Sequence, residues 1–215
     1  TPYKVEYFDE AMFKDAAKEL NAMVANAAKA DPFHNFGTIS TIEKTSKDGI
    51  LPVKNFSGRL YKDYKGVGVE QFMTNLASRG GCNKKPCQPG CAVQCSNIYH
   101  DKDGNYVTSG FEYETIALFG PNCMINDLDK IAQMDRMCDD IGVDTIEMGD
   151  ACAVAMECDY IKWGDADAVL GLLEDMRKGV GFGNVLGNGC EAVGIELGAK
   201  RIPVVKHQAI SGYDP

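Results

Sequence analysis

Met12, Ala16, Leu20, Met23 and Ala27 recur at three- and four-residue intervals, and this spacing predicts an amphipathic helix over residues 8–29. Asp31-Pro32 stops it, because the residue before a proline is pushed out of the helical region. Residues 36–60 mix Gly, Pro and short β-branched runs and read as irregular chain with turns. A second helix is expected over 69–78, stopped by Gly80-Gly81. Asp103-Gly104 lies between Ile98-Tyr99 and Tyr106-Val107, a hairpin signal. Beyond it the pattern turns helical over 112–119, 127–141, 144–160 and 165–178, with Asn126 or Asp127, and Asp165, as N-caps. The stretch GVGFGNVLGNG follows a helix rather than a strand, so it reads as a helix cap and tight turn instead of a dinucleotide loop. The tail, 199–215, reads as extended. The expected fold is mainly α: a multihelical domain with a small β-hairpin and irregular loops, one unit over 1–215.

Composition narrows what such a domain does. The chain has 215 residues, 45% hydrophobic and 25% charged, the balance of a globular protein with a real core. A net charge of −9 argues against nucleic acid as a partner. No apolar run has the length to span a membrane, and TPYKVEYFDE is no signal peptide. Without an initiator Met the chain reads as processed, or as a piece of a longer one. Nine cysteines with no secretory signal favour metal or redox use over disulfides, and the expected compartment is cytoplasmic.

Three of the nine stand together. Cys87, Cys91 and Cys95 follow at four-residue intervals around Pro89-Gly90, a turn that can wrap sulfurs about one centre. Both zinc and iron–sulfur clusters take thiolates. Structural zinc usually adds a second ligand pair farther on, and none is present, so the arrangement favours a cluster and leaves zinc, or no metal, open. Asp101, Asp103, Asn105 and Glu112 imitate a calcium loop, but Tyr106 stands where the sharp turn needs Gly; a plain hairpin fits better. His34, His100 and His207 lack the spacing of a His-based zinc site.

Several segments together resemble one family, the tungsten- or molybdenum-containing aldehyde ferredoxin oxidoreductases. They are GILPVKNF (49–56), PCQPGCAVQC (86–95), FEYETIALFGPNC (111–123), DDIGVDTIEMG (139–149), WGDADAV (163–169) and ISGYDP (210–215), in the family's order across nearly the whole chain. The resemblance implies that Cys87, Cys91 and Cys95 are three ligands of a [4Fe–4S] cluster. It implies that Asp139, Gly142, Val143 and Asp144 are the pterin-contacting motif of a tungsten or molybdenum bis-pterin centre. It also implies that Glu114 is the active-site carboxylate, with Glu112 a lesser candidate.

The activity so implied is oxidation of an aldehyde, or a related carbonyl compound, to an acid, with electrons leaving through the cluster to ferredoxin. The first two cysteines are one residue farther apart than the family's Cys-x-x-Cys-x-x-x-Cys, so Cys82 is an alternative first ligand. The family's fourth cysteine, second pterin motif, active-site His and pterin-covering domain do not match any stretch here, nor do the Glu-x-x-His pairs that bind a metal between subunits in some members. The 215 residues are therefore expected to be the family's middle region and, alone, to lack a complete site. The rival reading is a stand-alone iron–sulfur or zinc module for electron transfer or structure, without substrate chemistry.

Overall fold

The computed structural model describes residues 6–28, 31–58, 61 and 64–215. Lys29 of the first expected helix and residues 59–60 of the expected irregular stretch lie outside the described set. Among the described residues the order is α1 (Glu10–Ala28), α2 (Pro32–Phe36), α3 (Thr41–Asp48), α4 (Val69–Arg79), β1 (Cys82–Lys85), β2 (Ser96–His100), β3 (Tyr106–Ser109), α5 (Tyr113–Phe119), α6 (Leu128–Ile141), α7 (Thr145–Glu157), α8 (Ala166–Lys178), α9 (Gly183–Leu186), α10 (Gly189–Glu196), β4 (Val204–Val205) and β5 (Gln208–Ala209). The domain is mainly α-helical, as the periodicity predicts. None of the described helices is long and apolar enough to cross a membrane.

Two helices begin at expected caps, Asp127 for α6 and Asp165 for α8, and Asp144 caps α7; each accepts a hydrogen bond from the first turn of its helix. The stretch expected to be irregular instead holds the last residue of α2, a 3₁₀ turn (Thr38–Ser40) and α3. Only Ile42 and Thr45 of α3 are buried, so its sequence carries too few apolar residues to reveal a period. The glycine-rich segment does begin with a helix cap at Gly179, but two short helices, α9 and α10, then replace the expected turn.

The core forms around α5 and α7. Every residue of α5 except Glu114 is buried, as is Met148–Met156 of α7, so these helices are apolar all round and lie in the interior. Gly149 makes their contact possible: a Cβ there would stand 2.7 Å from Leu118 Cβ. The sheet β1-β2-β3 is antiparallel, with Tyr99 opposite Thr108. Tyr99 packs with Phe72 and Phe111 at ring separations of 5.8 and 5.3 Å.

A polar knot sits inside this core. Asn122 Nδ2 donates to Asp150 Oδ1 at 2.9 Å, while its backbone carbonyl and Oδ1 receive the Asn55 and Phe56 N–H groups. Asn55 Oδ1 and Asp150 Oδ2 are buried with no hydrogen-bond partner. Burial, reinforced by the charge of Glu147, pushes the Asp150 carboxyl up to about 9. A proton there turns Oδ2 from an acceptor into a donor.

Two outcomes follow from this packing. Gly149→Ala should cost about 1–3 kcal/mol, by driving a methyl into the α5 backbone, read as a lower urea midpoint. For Asp150, the folded chain keeps a proton that the unfolded chain releases in the ordinary carboxylate range. Its stabilising contribution is therefore complete below about pH 4 and is lost as pH rises toward about 9. Asp150→Asn keeps the shape and removes the titration. Its melting temperature should exceed that of the unmodified chain at pH 9, at about 2–4 °C per kilocalorie, and the gap should narrow steadily toward pH 4. A constant offset across this range would show that Asp150 does not titrate with folding.

Candidate functional site

The cysteine loop, residues 86–95, is closed at its base by the β1–β2 ladder, where Lys85 faces Ser96 and Cys82 faces Ile98. At its tip Cys91 N–H donates to Gln88 O at 3.2 Å, and Gly90 takes φ +81°. Pro at the second position and a left-handed Gly at the third are what a type II turn requires. Lys84 and Gln94 also adopt positive φ, at the loop's two shoulders. The helix α2 anchors the loop from below. His34 Nδ1 lies 2.8 Å from Val93 O, and Asn83 Nδ2 donates to Asn35 O at 2.7 Å. Gly37 lies so near the Cys95 carbonyl that a Cβ would come within 2.9 Å of it.

The three thiols differ in setting. Cys87 is exposed, Cys91 and Cys95 half-buried. A hydrogen bond from the Gln94 backbone holds the Cys91 thiol below its ordinary range, against burial and with help from Val93 and Cys87. Burial pushes the Cys95 thiol up, and the charges of Glu112, Cys87 and Cys91 add to this. Among the described residues no three His, Cys, Asp or Glu side chains come close enough to grip a single metal ion. Cys82 lies apart from the loop tip, on β1.

Glu112 and Glu114 flank Tyr113 at the start of α5 and line one cavity of about 270 Å³ with Phe33, Thr38 and Tyr213. Glu114 Oε2 accepts from Gly212 N–H at 2.5 Å. Burial pushes this carboxyl up; the Gly212 N–H opposes the shift and the charge of Asp144 reinforces it. Glu112 is likewise pushed up by burial, against the hydrogen bond from Thr38.

Asp139, Gly142, Val143 and Asp144 fall at the junction of α6 and α7. Asp139 is exposed in the last turn of α6. Gly142 takes φ +85°, and the Gly142 and Val143 N–H groups donate to Cys138 O at 2.8 and 3.0 Å. Asp144 then caps α7 by accepting from Glu147 N–H at 2.9 Å. Val143 and Asp144 line a groove of about 280 Å³ shared with Gly187–Gly189 and His207. This junction adjoins the Glu114 cavity, for Thr115 and Thr145 hydroxyls meet at 2.9 Å and Asp144 acts electrostatically on Glu114.

Three structural participants escape sequence reasoning. Glu147 holds the tail in place, accepting from Cys190 N–H at 2.7 Å and Ala209 N–H at 2.9 Å. Thr38 joins Glu112 to Tyr113 N–H, and Asp150 anchors the buried knot. Each works through a partner 28 or more residues away, and no local spacing marks such a contact.

Known proteins give this geometry a context. The family model for aldehyde ferredoxin oxidoreductase, domains 2 and 3, matches residues 15–215. The chain is 30% identical over 195 residues to a tungsten-containing aldehyde ferredoxin oxidoreductase of Pyrococcus furiosus, covering 84% of this chain and 31% of that protein. It is 25% identical to the tungsten-containing aldehyde ferredoxin oxidoreductase of Pyrococcus horikoshii, over 99% of this chain and 37% of the relative. It is also similar to the aliphatic sulfonate oxidoreductase, WOR-like subunit, of Pyrococcus furiosus, at 26% identity over 73% of this chain and 27% of that one. The chain thus spans about a third of the length of these relatives. Since one family model takes in the cysteine loop, the Glu112–Glu114 segment and the α6–α7 junction together, the chain belongs to the aldehyde ferredoxin oxidoreductase family.

Proposed function

We propose that the chain is the part of an oxidoreductase that carries three cluster ligands, one pterin-contacting loop and the working carboxylate. The whole protein oxidises aldehydes or related carbonyl compounds to acids and delivers electrons to ferredoxin. Its tungsten or molybdenum bis-pterin centre, when bound, supplies the two-electron oxidation, and a [4Fe–4S] cluster supplies the single-electron exit.

The donor set fits these groups. Cys87, Cys91 and Cys95 are soft sulfur ligands on one loop, and the Cys91 thiol is already biased toward the thiolate that iron binds. At the α6–α7 junction, among the described residues, no atom beyond the chain neighbours of Gly142 lies within 4 Å of where a side chain on it would stand. The backbone there is open to a large, flat ligand, with Asp139, Val143 and Asp144 beside it.

Conversion of an aldehyde to an acid adds oxygen, removes two electrons and releases protons. Glu114 is the group assigned to take up and pass one of those protons. The Gly212 N–H holds Oε2, so Oε1 is the oxygen assigned to the exchange. A carboxyl raised by burial exchanges protons nearer neutral pH than an exposed one. The observation that supports this reading most is the meeting of Glu114 with both Asp144 and the cysteine-loop neighbour Glu112 around the start of α5.

Two substitutions in the full-length protein test the assignment. Cys91→Ser should abolish or cripple cluster assembly, whereas Cys158→Ser, at the end of α7, should be tolerated. Iron and zinc counted on anaerobically purified protein decide this. Equal iron in the Cys91 variant and the unmodified protein overturns the ligand assignment, and zinc in place of iron favours the rival module. Glu114→Gln should retain metal and cluster yet lose about a hundredfold in turnover. Normal turnover with about 1 kcal/mol less stability would make Glu114 a residue of the helix terminus only.

A further inference from the structure

Glu112 exchanges no proton in that scheme, yet neighbouring groups are arranged around its side chain. It stands at the N-cap of α5, where its carbonyl accepts from Ile116 N–H at 3.2 Å, but its carboxylate does not cap the helix. Thr38 does so instead, its hydroxyl oxygen accepting from Tyr113 N–H at 2.9 Å while its hydrogen goes to Glu112 Oε2. Thr38 follows Gly37, which lies so near the Cys95 carbonyl that a Cβ there would come within 2.9 Å of it. A Cβ added at Gly110 would lie 3.6 Å from Ser96 Oγ and 4.0 Å from Glu112 Oε1, so both flank the β3–α5 link. Ser96 directly follows Cys95, whose thiol senses the Glu112 charge.

We infer that Glu112 is a positioning residue: by holding Thr38, whose neighbour Gly37 packs against the Cys95 carbonyl, it clasps the end of the cysteine loop to the start of α5. A carboxylate suits this role because it accepts the Thr38 hydroxyl hydrogen and so turns the hydroxyl oxygen toward the Tyr113 N–H. The clasp fixes Cys95 relative to the Glu114 cavity, so that loop and cavity keep one mutual geometry. The cluster role of the loop rests on the function proposed above, but the clasp itself does not.

The test therefore begins on the metal-free chain. Iodoacetamide labelling, followed cysteine by cysteine by mass spectrometry, reports how often each thiol opens to solvent. Thr38→Val removes the hydroxyl that Glu112 holds and leaves the Glu112 charge in place. Losing a buried hydrogen bond of ordinary strength should speed Cys95 labelling about tenfold, with Cys82 and Cys158 unchanged. Thr38→Ser should restore the original rate, and Glu112→Ala should match or exceed Thr38→Val. Acceleration by Glu112→Ala but not by Thr38→Val would mean that only charge acts on Cys95, and would overturn the clasp. Equal acceleration of all three thiols would indicate general loosening and overturn it as well.

A second arm uses the full-length, iron-loaded protein, where Thr38→Val should release iron to a chelator faster than the unmodified protein. If the Cys91→Ser protein still holds its iron, the cluster assignment fails while the labelling result stands. If iron loss depends on Cys91 but Cys95 labelling ignores Thr38, the clasp alone fails.

Discussion

Gly149 lets α7 lie directly against the α5 backbone, and this close approach organises the molecule. With only hydrogen at that position, Leu118 can occupy the space a side chain would need. The starts of the two helices then fall side by side, joined by the Thr115–Thr145 hydroxyl contact. Glu114 in the first turn of α5 and Asp144 at the cap of α7 thereby share a neighbourhood. Helix N-termini favour negative charge, which offsets part of the repulsion between two carboxylates so placed.

Neutral donors manage the acid in this interior. Thr38 serves Glu112, the Gly212 N–H serves Glu114, Thr108 and Thr115 serve Asp135, and Asn122 serves Asp150. Among the described residues, the ion pairs involve other side chains. Without a cation alongside, burial dominates and pushes all four carboxyls up, Asp135 to about 6 and Asp150 to about 9. Of the two with a stated range, Asp135 is the one that reaches toward neutral pH.

The tail completes the cavity from far along the chain. Tyr113 donates its hydroxyl to Gly212 O, and its ring lies 5.4 Å from that of Tyr213. A Cβ at Gly212 would come within 2.7 Å of Glu114 Oε2, so a side chain there would displace the carboxylate from its place in the cavity. Glu147 secures the preceding strand through Ala209 N–H. Two glutamates on interior helices thus fasten the same tail, and one of them lines the cavity.

The long helices were legible in the sequence because their information is local. Aspartate at 127, 144 and 165 supplies a cap acceptor. In α6 and α8 apolar spacing of three and four supplies a buried face, whereas Met12, Leu20 and Met23 of α1 stay exposed despite the same spacing. The Pro89-Gly90 turn, the Asp103-Gly104 hairpin and the three-thiol loop were equally legible, since φ preferences and short intervals are written in neighbouring residues. The helix α3 was not, because only two of its side chains enter the core. The clasp at Glu112, the pairing of Glu114 with Gly212 and the knot at Asn122 were decided by tertiary structure alone. Each joins atoms 28 to 98 residues apart, a separation at which no local spacing or φ preference marks the partner.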